Sequence, residues 1–344
     1  MYEQGHQMIT GKTKVIEMTE KNPLEDLTNA GDYYGIENRI KEVNVSLPTS
    51  DNTKITGRFF YLDFRNHTPN QKTFVDYIFT KIDRYCIPRQ ERNRAKKRYQ
   101  ETQDESVFTT LHDQAIKLFV YSNNKRGAHL GEPAELIAFI LLEAFLGAPQ
   151  IASKMFLKTN TAMPVHGADA IHMRYHKETG CLDLLWGEAK LYENLNDGIS
   201  SALESIRNFI KVDDKTGNRQ RDRDIEIIKD FPDVDDEDMR RAICDYFDPY
   251  SDKAGNIQDI YVCFVGYDET LYKCLVGTND KEIEEYFKVK YIQKAVNTYN
   301  SFVTKIEKNS ELSELQFIVL LLPFNDINSL RDDFKAKLRV NPDD

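Results

Sequence analysis

The 344-residue sequence has no long hydrophobic run. Its longest apolar stretches, 136–142 and 317–322, are less than half of the roughly 20 residues a membrane-crossing helix needs. The opening MYEQGHQMITGK has no apolar signal core and no Arg-rich transit pattern. These absences predict a soluble, cytoplasmic protein with no membrane partner. Cysteine is sparse: Cys86, Cys181, Cys244, Cys263 and Cys274. No two form a CxxC pair, and no Cys/His set has zinc-finger spacing, which excludes a disulfide scaffold and a structural zinc module. They read as reduced thiols, mostly buried. Positive charge is also short, with 46 basic against 56 acidic side chains and a net charge of -10. That excludes a general nucleic-acid coat. Contact with DNA would need local basic patches, or metal ions bridging carboxylates to phosphates. No 20–50-residue repeat and no low-complexity segment is present, so a solenoid is excluded.

What is present is an α/β pattern with apolar material for a sizeable core: 40% hydrophobic and 30% charged residues. Residues 39–47 and 55–64 read as two strands of a hairpin turning at 48–52. Phe74, Ile78 and Ile82 predict one helix over 71–85. The segment 88–98 carries six cations and one acid, either a solvated helix face or a phosphate or partner contact. A helix is predicted over 108–119. Gly131-Glu-Pro-Ala-Glu135 opens another, with Pro133 in its first turn. Apolar nearly all round, that helix should be central, and Gly147-Ala-Pro149 stops it. Strand-like runs follow at 151–157, 165–174 and 181–190. Ile199, Ala202, Leu203, Ile206, Phe209 and Ile210 then mark an amphipathic helix. Residues 257–265 and 315–322 read as further buried strands. A long helix with Ile292, Val296, Tyr299, Val303 and Ile306 at heptad-like spacing lies between them, and a last helix covers about 326–338. The acidic run 233–238 reads as a solvated loop.

The chemistry concentrates on two strands. His166-Gly-Ala-Asp-Ala-Ile-His172 sets Asp169 among small and aliphatic residues. Leu182-Asp-Leu-Leu-Trp-Gly-Glu-Ala-Lys190 sends Glu188 and Lys190 to one face, about 6–7 Å apart. An antiparallel partner can bring Asp169 opposite them. Burying two carboxylates and an ammonium costs several kcal/mol unless they are paired or bind metal. Metal-assisted phosphodiester hydrolysis suits this set. Mg²⁺, or Mn²⁺ in its place, takes oxygen ligands, here Asp169, Glu188 and the carbonyl of Ala189. Lys190 would orient water or stabilise charge at the scissile phosphate. A second ion could draw on Glu135 or Glu132 at the start of the buried helix. Glu135 has apolar i+4 and i+7 neighbours and should face inward, whereas Glu132 can cap the helix. His166, His172 and His176 read as hydrogen-bonding or surface residues, Trp186 as core. Ser200, Ser201, Ser205 and Arg207 read as a solvated face. The basic segments 88–98 and 217–223 are the candidates for DNA-backbone contact.

The order of helix with Glu, strand, strand with Asp, strand with ExK, helix resembles the PD-(D/E)xK nuclease superfamily. More narrowly, GEPAELIAFILLEAFLG, HGADAIHMRY and LLWGEAKLYENLNDGISSALESI resemble the HamA family, nuclease subunits of the Hachiman anti-phage defence system. The resemblance implies a restriction-endonuclease-like core, a mixed central sheet flanked by helices, with an N-terminal α+β extension. It divides the chain into a partner-binding region, 1–105, and a nuclease-like domain with a C-terminal α/β extension, 106–344. It implies a metal-dependent DNA endonuclease with little sequence specificity, governed by the superfamily 2 helicase HamB. By motif, Asp169 and Glu188 match the metal-binding acids, Lys190 the catalytic lysine, and Glu135 or Glu132 the helix glutamate. Ala168 stands where the superfamily pattern has proline. The rival reading is a catalytically silent nuclease-fold subunit that binds DNA and docks the helicase. A nuclease acting on RNA is a third.

Overall fold

The computed structural model describes residues 23–26, 33–45, 47, 54–124, 133–153, 155 and 167–338. Its centre is a mixed six-stranded sheet flanked by helices, an α/β architecture as the sequence pattern predicts and a mixed sheet as the resemblance implies. In chain order the strands are β1 (Ile40–Val43), β2 (Ile55–Leu62), a small hairpin of β3 (Phe64–Arg65) and β4 (Thr68–Pro69), then β5 (Ala170–His176), β6 (Cys181–Tyr192), β7 (Ile257–Asp268) and β8 (Gln316–Phe324). The large sheet runs β1-β2-β8-β7-β6-β5. Its middle is parallel, from β2 through β8 and β7 to β6, and each edge strand is antiparallel to its neighbour. The parallel strands β7 and β8 are apolar almost throughout, because helices cover both faces.

The helices before β5 are α1 (Gln71–Phe79), α2 (Ile82–Cys86), α3 (Arg89–Thr102), α4 (Ser106–Asn124) and α5 (Ala134–Leu146). Those after it are α6 (Leu195–Ile210), α7 (Gln220–Asp230), α8 (Glu237–Phe247), α9 (Asp280–Glu307) and α10 (Ile327–Leu338). Helix α5 is buried from Leu136 to Glu143, as its all-round apolar sequence requires. It ends where Gly147 takes the left-handed conformation at φ 59°. On one face of the sheet, Trp186, Phe209, Tyr261, Phe317 and Phe302 form a continuous row of ring contacts under α6 and α9. Helix α5 covers the other, laying Phe139 on His172 and Phe145 on Phe60.

Several local expectations change. The division at 105/106 falls between α3 and α4, yet β2 from the first region pairs with β8 from the second, so both share one sheet and one core. Strands β1 and β2 pair antiparallel as expected, and the turn at 48–52 lies outside the described residues. The single helix at 71–85 is broken at Thr80–Lys81, where the Thr80 hydroxyl donates to the Tyr77 carbonyl at 2.7 Å. Described residues 151–153 form no strand. Instead Ile151 N–H donates to Ile171 O and Met173 N–H to Pro149 O, a brief bridge along β5. The strand predicted at 165–174 begins only at Ala170, and residues 165 and 166 are outside the described set. On α9 the buried stripe is Ile283, Phe287, Tyr291, Ala295, Tyr299, Phe302 and Ile306; Ile292, Val296 and Val303 flank it. Tyrosines carry much of that stripe, and Tyr299 donates its hydroxyl to Ile55 O at 2.8 Å. The acidic run is only partly a solvated loop. Asp233 is buried and accepts the Arg89 N–H at 2.6 Å, and Asp236 caps α8. No helix among the described residues is long and apolar enough to cross a membrane.

Candidate active site

The β5–β6 pair builds the site. Its register sets Ala170 opposite Gly187, so the next step sets Asp169 beside Glu188. Asp169 stands just before β5 and is tied to β6 twice. Its N–H donates to Gly187 O at 2.9 Å, and its Oδ2 accepts the Ala189 N–H at 3.1 Å. Glu188 and Lys190 share a face by strand alternation and form an ion pair at 2.5 Å. Both are largely buried. Glu135, in the first turn of α5, accepts the Tyr85 hydroxyl at 2.5 Å. Glu132 lies outside the described residues; of the two helix glutamates the structure describes Glu135.

Electrostatics show that these groups feel one another. The carboxyl pKa of Asp169 is raised to about 8, by burial first and then by the charges of Glu188 and Glu135, against the opposition of Lys190 and the Ala189 N–H. Burial also works against the Lys190 ammonium, but Glu188 and then Asp169 outweigh it and hold the lysine above its ordinary value. The Tyr85 phenol is pushed far up by burial, then by Glu135, with Asp169 contributing. Asp169 therefore feels two other carboxylates and one ammonium, an excess of negative charge in a low-dielectric setting. No three His, Cys, Asp or Glu side chains among the described residues form a ready metal cage.

The remaining candidates sit elsewhere. His172 is buried with its Nδ1 2.8 Å from Ala148 O. Burial keeps it below its usual pKa against the pull of Glu143. His176 and Arg174 both bind Asp183, near the β5–β6 turn. His166 is outside the described residues. Trp186 is core, its indole N–H donating to Asp259 at 2.7 Å. Ser200 donates to Asn196 O, Ser201 meets the Tyr192 hydroxyl, and Arg207 pairs with Glu204. Arg221, in the basic segment 217–223, is occupied by Asp259 and the Trp186 ring. Helix α3 instead buries none of its residues. With α4 it borders a cleft of about 310 Å³ lined by Arg94, Arg98, Ser106, Thr110 and Gln114.

The sequence pattern of one known family, HamA, matches residues 36–338, the whole span that builds this sheet and site. The chain belongs to the HamA family. Membership places it in the setting of anti-phage defence. No curated protein matches the sequence.

Two residues at this HamA-family site escape a reading of the sequence. Tyr85 lies fifty positions before its partner Glu135, on a short helix with no motif around it. Asp224 is hidden too: it shares the buried stripe of the charged helix α7 with Ile228, four residues on, but nothing beside it marks its partner Ala168.

Asp169 also sets a pH dependence. Its folded-state pKa is raised from 3.8 to about 8. Its contribution to stability is thus complete below the unfolded value and is lost as pH rises through about 8. Asn keeps the acceptor for Ala189 without the charge. Asp169→Asn is therefore expected to melt higher than the parent at pH 8.5, by on the order of 2 °C or more, and to match it near pH 4 in EDTA. Differential scanning fluorimetry across that range checks it; a constant offset contradicts it.

Proposed function

We propose that this chain is a metal-dependent DNA endonuclease effector of anti-phage defence, with a PD-(D/E)xK core and little sequence specificity, controlled by a partner helicase. The observation that carries the reading is the convergence of Asp169, Glu188, Glu135 and Lys190 at the junction of β5, β6 and α5, with the Asp169 pKa raised by burial and then by its acidic neighbours.

The donor set fits a hard divalent cation. Two carboxylates and a carbonyl are enough for Mg²⁺, which keeps several waters. The excess of carboxylate over ammonium is the charge such an ion would balance. Asp169 and Glu188 would hold it, with the Ala189 carbonyl, and Glu135 would serve a second position. A bound Mg²⁺ would neutralise phosphate charge and make water a better nucleophile at neutral pH. The protein's own groups do the rest. Ala189 N–H fixes the Asp169 carboxylate. The Tyr85 hydroxyl holds the Glu135 carboxylate. Lys190 keeps its proton and places positive charge where the phosphate gains negative charge. The cleft bordered by Arg94 and Arg98 suits backbone contact without base readout.

The competing reading is a silent nuclease-fold subunit that binds DNA and docks the helicase; the close Glu188–Lys190 pair is the observation on its side. Plasmid DNA and a structured RNA are incubated with the chain, alone and with its co-expressed helicase, in Mg²⁺ or EDTA. DNA loss that needs Mg²⁺ is expected. RNA loss alone redirects the substrate, and intact nucleic acid in all arms contradicts the activity.

A further inference from the structure

We infer that Asp224 is a positioning residue for Asp169, acting through the peptide N–H of Ala168. The inference rests on reading Asp169 as a cation ligand. Helix α7 is a highly charged helix that buries only Asp224 and Ile228, and Asp224 has no exposed surface. A carboxylate with no contact to water costs several kcal/mol unless it is well bonded. That cost is hard to justify by the stability of α7 alone, whose other carboxylates stay nearer the surface.

Its surroundings give the reason. Asp224 Oδ2 accepts the N–H of Ala168 at 3.1 Å, one residue before Asp169. The carboxylate also lies flat against Gly167. A Cβ there would stand 2.3 Å from Oδ2 and 2.5 Å from Oδ1, and Gly167 adopts φ +146°, which side-chain-bearing residues rarely do. The next two bonds along the chain are the ones to β6: Asp169 N–H to Gly187 O, and Ala189 N–H to the Asp169 carboxylate. The approach to Asp169 is thus clamped from two sides, by α7 on Ala168 and by β6 on Asp169. Proline at 168 would remove the donor and with it the bond to α7. Because α7 is a separate element, its packing sets where Asp169 stands.

The test compares the parent, Asp224→Ala, Asp224→Asn, Ala168→Pro and the Asp224→Ala/Ala168→Pro pair. Mn²⁺ affinity is read by electron paramagnetic resonance of the free ion, and DNA cleavage is resolved into kcat and KM. Asp224→Ala is expected to weaken Mn²⁺ binding and lower kcat by about 10–100-fold, with KM for DNA unchanged. Asp224→Asn retains an acceptor oxygen and is expected to recover to within about threefold of the parent. Ala168→Pro removes the same bond without touching α7, so it should lose as much as Asp224→Ala. The double variant should be no worse than either single change. Ala168→Pro carries the test if Asp224→Ala does not fold. Parent-like Mn²⁺ affinity in either single variant, or additive losses in the pair, overturns the positioning role alone. A parent chain that binds no Mn²⁺ overturns the cation reading of Asp169, and this role with it.

Discussion

Glu188→Ala/Lys190→Ala is expected to cleave DNA at least about 10³-fold more slowly than the parent while folding normally. One change removes a carboxylate that would hold the cation, the other the charge that faces the scissile phosphate. Losing one preorganised charge-stabilising group costs about 10²–10³ in rate, and groups acting as a unit lose little more together than singly. Folding should survive because the two charges leave as a pair. Removing one member of a buried ion pair strands the other, whereas removing both strands neither. Asp169 also loses an acidic neighbour that raises its pKa, which eases its burial. Lys190→Ala alone leaves Glu188 and Asp169 without their counter-charge and should be the less stable variant. Plasmid cleavage beside a urea melt measures both halves. Equal cutting by the double variant would falsify the assignment of this pair to the chemistry.

The largest effect on stability is expected at a second buried network, away from the candidate site. Arg84→Met should cost about 3–5 kcal/mol. Arg84 donates to Glu143 Oε2 at 2.7 Å, and Tyr33 donates its hydroxyl to the same oxygen at 2.5 Å. Glu143 Oε1 accepts the Gln150 N–H at 2.9 Å. The network ties α2 to α5 and to the chain that bridges to β5. Burial pushes the Glu143 carboxyl up, but Arg84, then His172, Tyr33 and Gln150, outweigh it and hold it below the ordinary range. A depressed carboxylate stabilises the fold above its unfolded pKa, and that stability is lost as pH falls through the folded value. Without Arg84, burial faces weaker opposition and the carboxyl rises. Its contribution then belongs to low pH and is lost on going up. The penalty of Arg84→Met should therefore grow from about pH 4 to about pH 7. Urea unfolding at both ends of that range checks the slope; a pH-independent difference contradicts it.

Much of this arrangement is legible in the sequence where one short segment carries its own signal. Period-two alternation alone puts Glu188 and Lys190 on one face. Ile199 to Phe209 announces an amphipathic helix, and the unbroken apolar run of 136–142 announces a buried one. Those signals suffice for an α/β protein; the mixed sheet comes from the family resemblance. What the sequence hides are partnerships between distant segments. Nothing near Tyr85 points to Glu135, and nothing near Asp224 points to Ala168. The join of β2 to β8 brings together segments some 260 residues apart, so the N-terminal strands read as a separate region although they complete the same sheet. Asp233 misleads for a related reason. In a run of acids it looks solvated, yet Arg89 reaches it from another element. The stripe of α9 is shifted by one residue at three places, where Tyr291, Ala295 and Phe302 are buried rather than their aliphatic neighbours Ile292, Val296 and Val303.

The central claim is that Asp169, Glu188 and Lys190 converge to hold a divalent cation against a nucleic-acid linkage. The most direct measurement is an anomalous difference map from crystals of the chain soaked in Mn²⁺. The account expects a peak within coordination distance, roughly 2.0–2.4 Å, of both the Asp169 and Glu188 carboxylates, with Glu188 drawn away from Lys190. A map with Mn²⁺ bound only elsewhere, and the Glu188–Lys190 pair undisturbed, would contradict it.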